Sequence, residues 1–249
     1  MTDHIALIRR DGVLAIRMNR PDKKNALTSA MYGAMAEALL AAETDAAVGA
    51  VLFLGLPGAF SAGNDLKDFA AFAARGNLGQ EVLTFLRALA IAEKPLVAAV
   101  DGVAVGVGTT MLLHCDHVLV SERARLSTPF VNLALVPEAA SSLLAPRIMG
   151  HVRAFEMLVM GRPLGPEQAV AAGLANAVIA SADLEAAGFA AAIEIAAKPR
   201  EAVRLSRKLI KGSSDELLQR IDEEALLFAQ RLKSTEAQKA FMAFLSKAG

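Results

Sequence analysis

The sequence predicts an α/β core followed by a helical C-terminal region. Short β-rich runs alternate with helical stretches over about the first 180 residues. From about Asp183 onward the pattern is helical only, with a break at Lys198-Pro199. Hydrophobic residues make up 54% of the 249 positions, which is enough apolar surface for a large buried core.

Each predicted strand is a short β-rich or apolar run that ends at a turn signal. Asp11-Gly12 joins the first two runs and is typical of a hairpin turn. The predicted strands lie at 4–10, 12–18, 48–55, 95–102, 117–122 and 125–128.

The predicted helices begin at capping residues and end at helix breakers. Thr28 opens an Ala-, Met- and Leu-rich helix that extends to about Thr44. Asn64 and Asp65 are candidate caps for the helix that follows them. Further helices are predicted at 78–92, within 103–115, and at 137–150, where Pro137 takes the first helical position.

The charge balance and the cysteine content argue against several classes of protein. Lys+Arg and Asp+Glu both number 26, so the net charge is zero, unlike that of a typical nucleic-acid or anionic-membrane protein. The apolar region 96–120 is interrupted by Asp101 and Asp116, and the N-terminus lacks a long apolar run. We therefore expect a cytoplasmic protein with no nucleic-acid or membrane partner.

The single cysteine, Cys115, leaves no intrachain disulfide framework. His114 and His117 flank it, but three such near-consecutive side chains have poor geometry for one metal ion. We therefore expect no metal and no redox cofactor.

Two segments share the pattern of a strand, a turn of small residues and a helix: FLGLPGAFSAGNDL and AAVDGVAVGVGTTM. Such turns allow close approach to the backbone, and the following helix directs free N–H groups at the same place. Two facing turns would supply two N–H donors to one oxygen, which is an oxyanion hole. Alternatively, the glycines satisfy turn geometry alone. A dinucleotide-binding motif is disfavoured, because Gly106 and Gly108 are not followed by its third glycine.

With RPDKKNAL and AAKPREAVRLSRKLI, these segments make the whole chain resemble the crotonase superfamily, the enoyl-CoA hydratase/isomerase family. The resemblance implies an α/β crotonase (ClpP-like) spiral of ββα units with a C-terminal helical trimerisation region. It divides the chain into a core with an acyl-CoA site at 1–190 and a helical region at 191–249. It also implies a homotrimer or a dimer of trimers, with coenzyme A present only as part of the thioester substrate.

The resemblance assigns the binding residues one by one. Ala62 and Val107 match the two oxyanion-hole N–H donors; the family usually has glycine where Val107 stands. The residues that match the coenzyme A and acyl site are Lys23, Lys24, Ala26, Ala62, Asn64, Asp65, Leu66 and Phe130. For the two lysines, ordinary solvation of a polar loop is an equal alternative.

The acids of this family are placed unusually in this chain. True hydratases use two glutamates, and the matching positions here are Thr110 and Phe130, which cannot serve as bases. Glu138 instead matches the single catalytic glutamate of Δ3,Δ2-enoyl-CoA isomerases, although Ala139 replaces the usual glycine after it. Phe130, Val131 and Leu135 would form an apolar pocket around it. As an alternative, Pro137 and Glu138 are an ordinary helix opening.

Three main functions stay open at this point, beside other chemistries of the superfamily such as dienoyl-CoA isomerisation, thioester hydrolysis and decarboxylation. The first is isomerisation of a 3-enoyl-CoA by Glu138. The second is an enoyl-CoA hydratase, either called so on overall similarity alone or with weak hydratase activity. The third is a non-catalytic acyl-CoA-binding module, which would not need a buried base. The basic run at 198–211 would touch coenzyme A, contact another subunit or form a solvated helix face.

Overall fold

The computed structural model describes residues 2–248, except for the side chains at positions 66, 73–75 and 244–248. Within this part of the chain, the strands are β1 (Ile5–Arg10), β2 (Val13–Met18), β3 (Ala50–Leu54), β4 (Ala59–Ser61), β5 (Leu96–Val100), β6 (Val103–Val105), β7 (His117–Ser121), β8 (Arg125–Ser127) and β9 (Ala177–Ile179). The α-helices are α1 (Ser29–Thr44), α2 (Leu66–Arg75), α3 (Gln80–Ile91), α4 (Val107–Thr110), α5 (Ser141–Leu158), α6 (Pro166–Ala171), α7 (Leu184–Ala196), α8 (Arg200–Lys211), α9 (Asp215–Leu232) and α10 (Thr235–Ala248).

From β3 onward, successive strands alternate between two sheets, which builds a spiral. The larger sheet has the order β1-β2-β3-β5-β7-β9, with only β1 antiparallel to its neighbour. The smaller sheet has the order β4-β6-β8 and is parallel throughout. The expected spiral of ββα units is therefore confirmed, although the sequence analysis does not predict β4, β6 or β9.

Both faces of the larger sheet are covered, as a mostly parallel sheet requires. Alternate strand residues such as Leu52 and Val97 pack against Phe189 on α7. The opposite face, including Phe53, packs into the main core with α1 and α3. The alternation of packing side chains explains why the central strands read as continuous apolar runs.

The first predicted elements are confirmed with small shifts of their ends. Asp11 and Gly12 both have positive φ, 47° and 79°, and close the β1–β2 hairpin. Thr28 caps α1 by accepting the N–H of Met31, and Asp65 caps α2 by accepting those of Lys67 and Asp68. These short-range features follow directly from local sequence.

The C-terminal helices fold back over the core. Helix α9 contacts α2 and α3, and α10 contacts the 3₁₀ turn at Val131–Leu133. The predicted boundary between residues 190 and 191 falls inside α7, which packs on β3, β5 and β7 and so belongs with the core. No helix in the described residues is both long and apolar enough to span a bilayer.

The basic run on α8 is tied to the core at several points. Arg200 donates to the carbonyls of Ala46 and Val48, and Arg207 pairs with Asp116 at 2.8 Å. Lys211 binds the carbonyl of His114. Much of this run therefore anchors α8, while Leu209 and Ile210 on the same helix are 86% and 84% exposed.

Candidate active site

Three turns meet at one edge of the smaller sheet. Residues 62–64 follow β4, residues 106–107 follow β6, and Phe130 lies soon after β8. Because these strands are parallel, their carboxyl ends lie at the same edge, where α/β sheets commonly bind ligands. The fold thus brings together the two glycine-bearing turns that the sequence singled out.

Glycine lets the two turns pack directly on each other. A Cβ at Gly63, where φ is +84°, would lie 2.9 Å from the carbonyl oxygen of Val105. A Cβ at Gly108 would lie 2.9 Å from the Cβ of Ser61. Larger residues would separate the turns, so both glycines are needed for packing as well as for turn geometry.

The N–H donors on these turns differ in part from the sequence-based assignment. The N–H of Ala62 donates to the carbonyl of Lys24 at 2.9 Å, so it is already used within the protein. Among the described residues, no protein acceptor takes the N–H of Asn64 or that of Val107. On the first turn the N–H left free among the described residues is therefore that of Asn64 and not, as the sequence-based assignment has it, that of Ala62. On the second turn it is that of Val107, the first residue of α4.

Arg20, which the sequence reasoning missed, fixes the first turn in place. Its guanidinium donates to Ala26 O at 2.8 Å and to the Asp65 carboxylate at 2.7 Å. Burial opposes ionisation of Asp65, but the hydrogen bonds from Arg20 and from the first turn of α2 hold its pKa below the ordinary value. Asp65 is thus a cap and an ion-pair partner rather than a ligand-facing group.

The remaining predicted coenzyme A residues lie around this loop. Lys23 and Lys24 are exposed, and Ala26 is half-buried. Lys24 has a positive φ of 47° and its carbonyl anchors Ala62. The side chain of Leu66, the first residue of α2, lies outside the described residues.

A cavity of about 440 Å³ opens between the two turns and α10. Asn64 and Gly106 line it on the turn side, and Phe130 and Phe241 are among its apolar walls. Leu135 also lines it, as expected, but Val131 is 44% exposed and does not. Its lining of aromatic and aliphatic groups with a few polar ones is typical of a small-molecule site.

Glu138 is a buried carboxyl next to α4, only 6% exposed. The hydroxyl of Thr110, on the last turn of that helix, donates to its Oε1 at 2.5 Å. Burial raises the pKa of Glu138 to about 8; the Thr110 hydrogen bond opposes this shift and the charge of Glu224 adds to it. Glu138 is not among the residues that line the cavity, and Thr110 ties it to α4.

Tyr32, which the sequence reasoning also missed, connects the two halves of the site. Its hydroxyl donates to Oδ1 of Asn64 at 2.6 Å, and its side chain is fully buried. Burial, together with the nearby charge of Glu138, raises the pKa of Tyr32 well above its ordinary value. Tyr32 therefore acts as a neutral donor that orients the Asn64 side chain.

The segment that carries Glu138 is not helical, contrary to the prediction that Pro137 opens a helix. Helix α5 begins at Ser141, and Ala139 and Ala140 have positive φ values of 61° and 53°. Left-handed alanines cost roughly 1–2 kcal/mol each, so tertiary contacts must hold them. The helix-opening alternative for Glu138 is therefore wrong.

The surroundings of His114 and Cys115 indicate structural roles for both side chains. The Nε2–H of His114 donates to Ala139 O at 2.7 Å, and burial lowers the His114 pKa to about 4. Burial also raises the pKa of Cys115 to about 12, which leaves the thiol protonated. Among the described residues no cluster of three or more potential ligands could hold a metal ion.

Comparison with known proteins identifies the family to which a chain with this site belongs. A sequence profile described as enoyl-CoA hydratase/isomerase matches residues 9–249. The chain belongs to the enoyl-CoA hydratase/isomerase family. The crotonase fold and the resemblance seen in the sequence are thereby confirmed.

Several members of the enoyl-CoA hydratase/isomerase family are similar over most of this chain. Enoyl-CoA delta isomerase 2 of Rattus norvegicus is 36% identical over 98% of the chain, which spans 63% of the rat protein's length. A probable enoyl-CoA hydratase of Rhizobium meliloti is 32% identical over 93% of the chain and 91% of its own length. The structure of Pseudomonas aeruginosa OdaA is 45% identical, with a TM-score of 0.93 over 98% of this chain and 99% of that one.

Proposed function

We propose that this protein is a Δ3,Δ2-enoyl-CoA isomerase that uses Glu138 as its single acid and base. The observation that carries the proposal is a buried carboxyl with a pKa near 8, bound to the helix whose first N–H has no acceptor among the described residues. A base with a pKa near the working pH is suited to accept a proton and then return it.

In the proposed reaction, Glu138 removes a proton from C2 of a 3-enoyl thioester. The C2–H electron pair becomes part of a dienolate, whose negative charge resides largely on the thioester oxygen. The N–H groups of Asn64 and Val107 stabilise that oxygen, and the loss of one such donor typically costs about 2.7–4 kcal/mol. The protonated Glu138 then delivers the proton to C4, which gives the 2-trans-enoyl-CoA with no net gain or loss of atoms.

The acyl chain is proposed to occupy the cavity lined by Phe130, Leu135 and Phe241. Apolar walls would exclude water from the dienolate and so disfavour side reactions. The exposed Lys23 and Lys24, beside the loop that anchors the first turn, are proposed to meet the coenzyme A phosphates. No metal or redox group is required by this scheme.

A hydratase is the second candidate, because relatives with that name share the fold and similar identity. Hydration requires a group that activates water as well as an acid that protonates the product enolate. Thr110 and Phe130 stand at the matched acid positions, and Glu224 is occupied by backbone and hydroxyl donors. These residues favour isomerisation over efficient hydration.

The trimer or dimer of trimers implied by the family belongs to the same proposal. The strongly exposed Leu209 and Ile210 on α8 support self-association, because exposed apolar groups that are close together commonly mark interfaces. Light scattering after size exclusion measures the assembly directly, and a monomer at micromolar concentration would contradict it.

The test of the activity compares two substrates and two variants. Wild-type protein mixed with 3-hexenoyl-CoA should give the absorbance of a conjugated thioester, whereas with 2-hexenoyl-CoA it should consume that absorbance at least tenfold more slowly. Glu138→Gln should lower the isomerisation rate by about a hundredfold or more while acyl-CoA still binds. Glu216→Gln, an exposed glutamate on α9, is the matched control and should behave as wild type.

Each alternative gives a different result in the same experiment. Faster loss of the conjugated thioester than its formation would support the hydratase. Binding without turnover of either substrate would support the non-catalytic module. Equal isomerisation by wild type and Glu138→Gln would refute the role of Glu138.

A further inference from the structure

Glu224 is a buried carboxylate that reaches the Glu138 segment from the C-terminal helices. It lies on α9, is 5% exposed and does not line the cavity. One oxygen accepts the N–H of Ala140 at 2.7 Å, and the other accepts the N–H of Ser142 at 3.0 Å and its hydroxyl at 2.5 Å. Burial raises the pKa of Glu224 above its ordinary value, and the donors of Ser142 and Ala140 oppose this shift because they favour the ionised form.

These contacts fall on the strained part of the segment. Ala139 and Ala140 have left-handed backbones, and both are buried. Three side chains from three elements hold consecutive residues there: Thr110 holds the Glu138 carboxyl, His114 the Ala139 carbonyl, and Glu224 the Ala140 N–H. Of the three, only Glu224 comes from the helical region beyond the spiral core.

We propose that Glu224 is a positioning residue that clamps the Ala139–Ala140 turn and thereby fixes the carboxyl of Glu138 beside α4. The clamp explains how a helix outside the spiral core controls a residue of the active site. It also explains why the Ala139-Ala140 pair keeps a conformation that favours glycine. The catalytic part of this inference rests on the proposed isomerase function, whereas the clamp itself does not.

The charge of Glu224 gives the clamp a second, measurable effect. Among the described residues, two titratable groups interact electrostatically with Glu138: the carboxylate of Glu224 and the neutral hydroxyl of Tyr32. The nearby cation is Arg220, which faces Glu224 and Ser142, and His114 is neutral at physiological pH. Removal of the Glu224 charge should therefore lower the Glu138 pKa.

Two variants separate the charge from the geometry. Glu224→Gln removes the charge and leaves one acceptor oxygen, while its amide group opposes the N–H donors. Glu224→Asp keeps the charge but shortens the reach to the turn. Glu216→Gln, exposed on the same helix and paired with Arg147, removes one charge far from the turn and serves as the control.

The two variants should change the pH profile of kcat/KM and the value of kcat in different ways. The rise of kcat/KM with pH that reports Glu138 should move to lower pH by more than about half a unit in Glu224→Gln. The kcat of Glu224→Gln should fall about tenfold or more while its KM stays within a factor of about two, because Glu224 binds the protein's own Ala140 and Ser142 and acts through the turn. Glu224→Asp should lose kcat without the pH shift. Wild-type kcat and an unmoved profile in Glu224→Gln would overturn the proposal.

A readout without catalysis distinguishes this proposal from the isomerase proposal. Amide hydrogen exchange at Ala140 and Ser142 should be slow in wild type and at least tenfold faster in Glu224→Gln and Glu224→Asp. If exchange accelerates but wild type does not isomerise 3-hexenoyl-CoA, the clamp holds and the proposed function fails. If exchange at both amides is unchanged, the clamp is refuted whatever the activity. If the Glu224 variants do not fold, Ser142→Ala takes their place, because it removes only the hydroxyl that donates to Glu224. Amide exchange at Ala140 is then compared with wild type in the same way.

Discussion

The hydroxyl of Thr110 donates a 2.5 Å hydrogen bond to Oε1 of Glu138. Thr110, which matches one acid position of the hydratases, is therefore a hydrogen-bond partner of Glu138. One carboxyl oxygen of Glu138 is held by Thr110, so the other oxygen is left to exchange a proton. This arrangement suits a reaction that moves one proton between two carbons on the same face of a substrate.

Thr110→Val should move the pH profile of isomerisation to higher pH. The Thr110 hydrogen bond lowers the Glu138 pKa against the effect of burial, so its loss makes the carboxyl harder to ionise. At pH 7 we expect kcat/KM to fall roughly tenfold, because a smaller fraction of Glu138 is ionised. The rate measured from pH 6 to pH 10 gives the midpoint of the rise.

Two variants control this experiment. Thr110→Ser keeps the hydroxyl and should keep the wild-type midpoint. Thr109→Val removes hydrogen bonds to Ala104 and Ser127, so it should lower stability without moving the midpoint. A Thr110→Val profile that overlies the wild-type profile would show that the bond has no effect on Glu138.

Val107→Pro should remove the proposed oxyanion donor on the second turn while keeping the fold. Val107 is the first residue of α4, where proline is tolerated because its N–H has no partner in the helix. We expect kcat to fall about 10²–10³-fold, which is the usual effect of the loss of one such donor. Val107→Ala keeps the N–H and should stay within a few-fold of wild type. Similar rates for the two variants would exclude Val107 as a donor.

Local signals were enough to predict much of the fold. The hairpin at Asp11-Gly12, the caps Thr28 and Asp65, and the helix break at Lys198-Pro199 each depend on neighbouring residues. The short strands β4 and β6 lie inside the two glycine-bearing turn segments and depend instead on pairing across the spiral.

The candidate site was predicted less completely, because its details depend on long-range contacts. The sequence identifies the turn that contains Ala62, but the N–H of Ala62 donates to Lys24, 38 positions earlier, and the N–H on this turn without an acceptor among the described residues is that of Asn64. The non-helical backbone at Ala139 depends on His114 and Glu224, which no local pattern connects to it. Glu138 was selected through family resemblance, because a lone acid after proline otherwise indicates a helix start.

Arg20→Leu should destabilise the protein by about 2–3 kcal/mol, because it leaves the buried Asp65 carboxylate without its cation. Arg20 and Asp65 have side chains that are 17% and 10% exposed, and their bond also ties the loop at Ala26 to the first turn. Arg9→Leu breaks a comparable pair with Asp45, but Arg9 is 59% exposed and the loss should be below about 1 kcal/mol. Urea unfolding of both variants measures the difference, and equal losses would contradict it.

Glu138→Gln should stabilise the folded state increasingly as the pH rises from about 4.5 to about 8. The folded-state pKa of Glu138 is raised to about 8 from an ordinary value of 4.5, so within this window the folded protein holds a proton that the unfolded chain has released. The contribution of this group to wild-type stability is therefore complete below pH 4.5 and is lost as the pH rises through the folded pKa. The neutral amide that replaces the carboxyl in this variant has no such proton to lose, so the difference in the free energy of unfolding between variant and wild type should grow by up to about 1.4 kcal/mol per pH unit.

Urea unfolding at pH 5, 6, 7 and 8, at one fixed protein concentration, measures this slope, and Glu216→Gln should show a constant difference over the same range. A pH-independent difference for Glu138→Gln would mean that the carboxyl titrates normally in the folded protein, which would also remove the main support for Glu138 as the base.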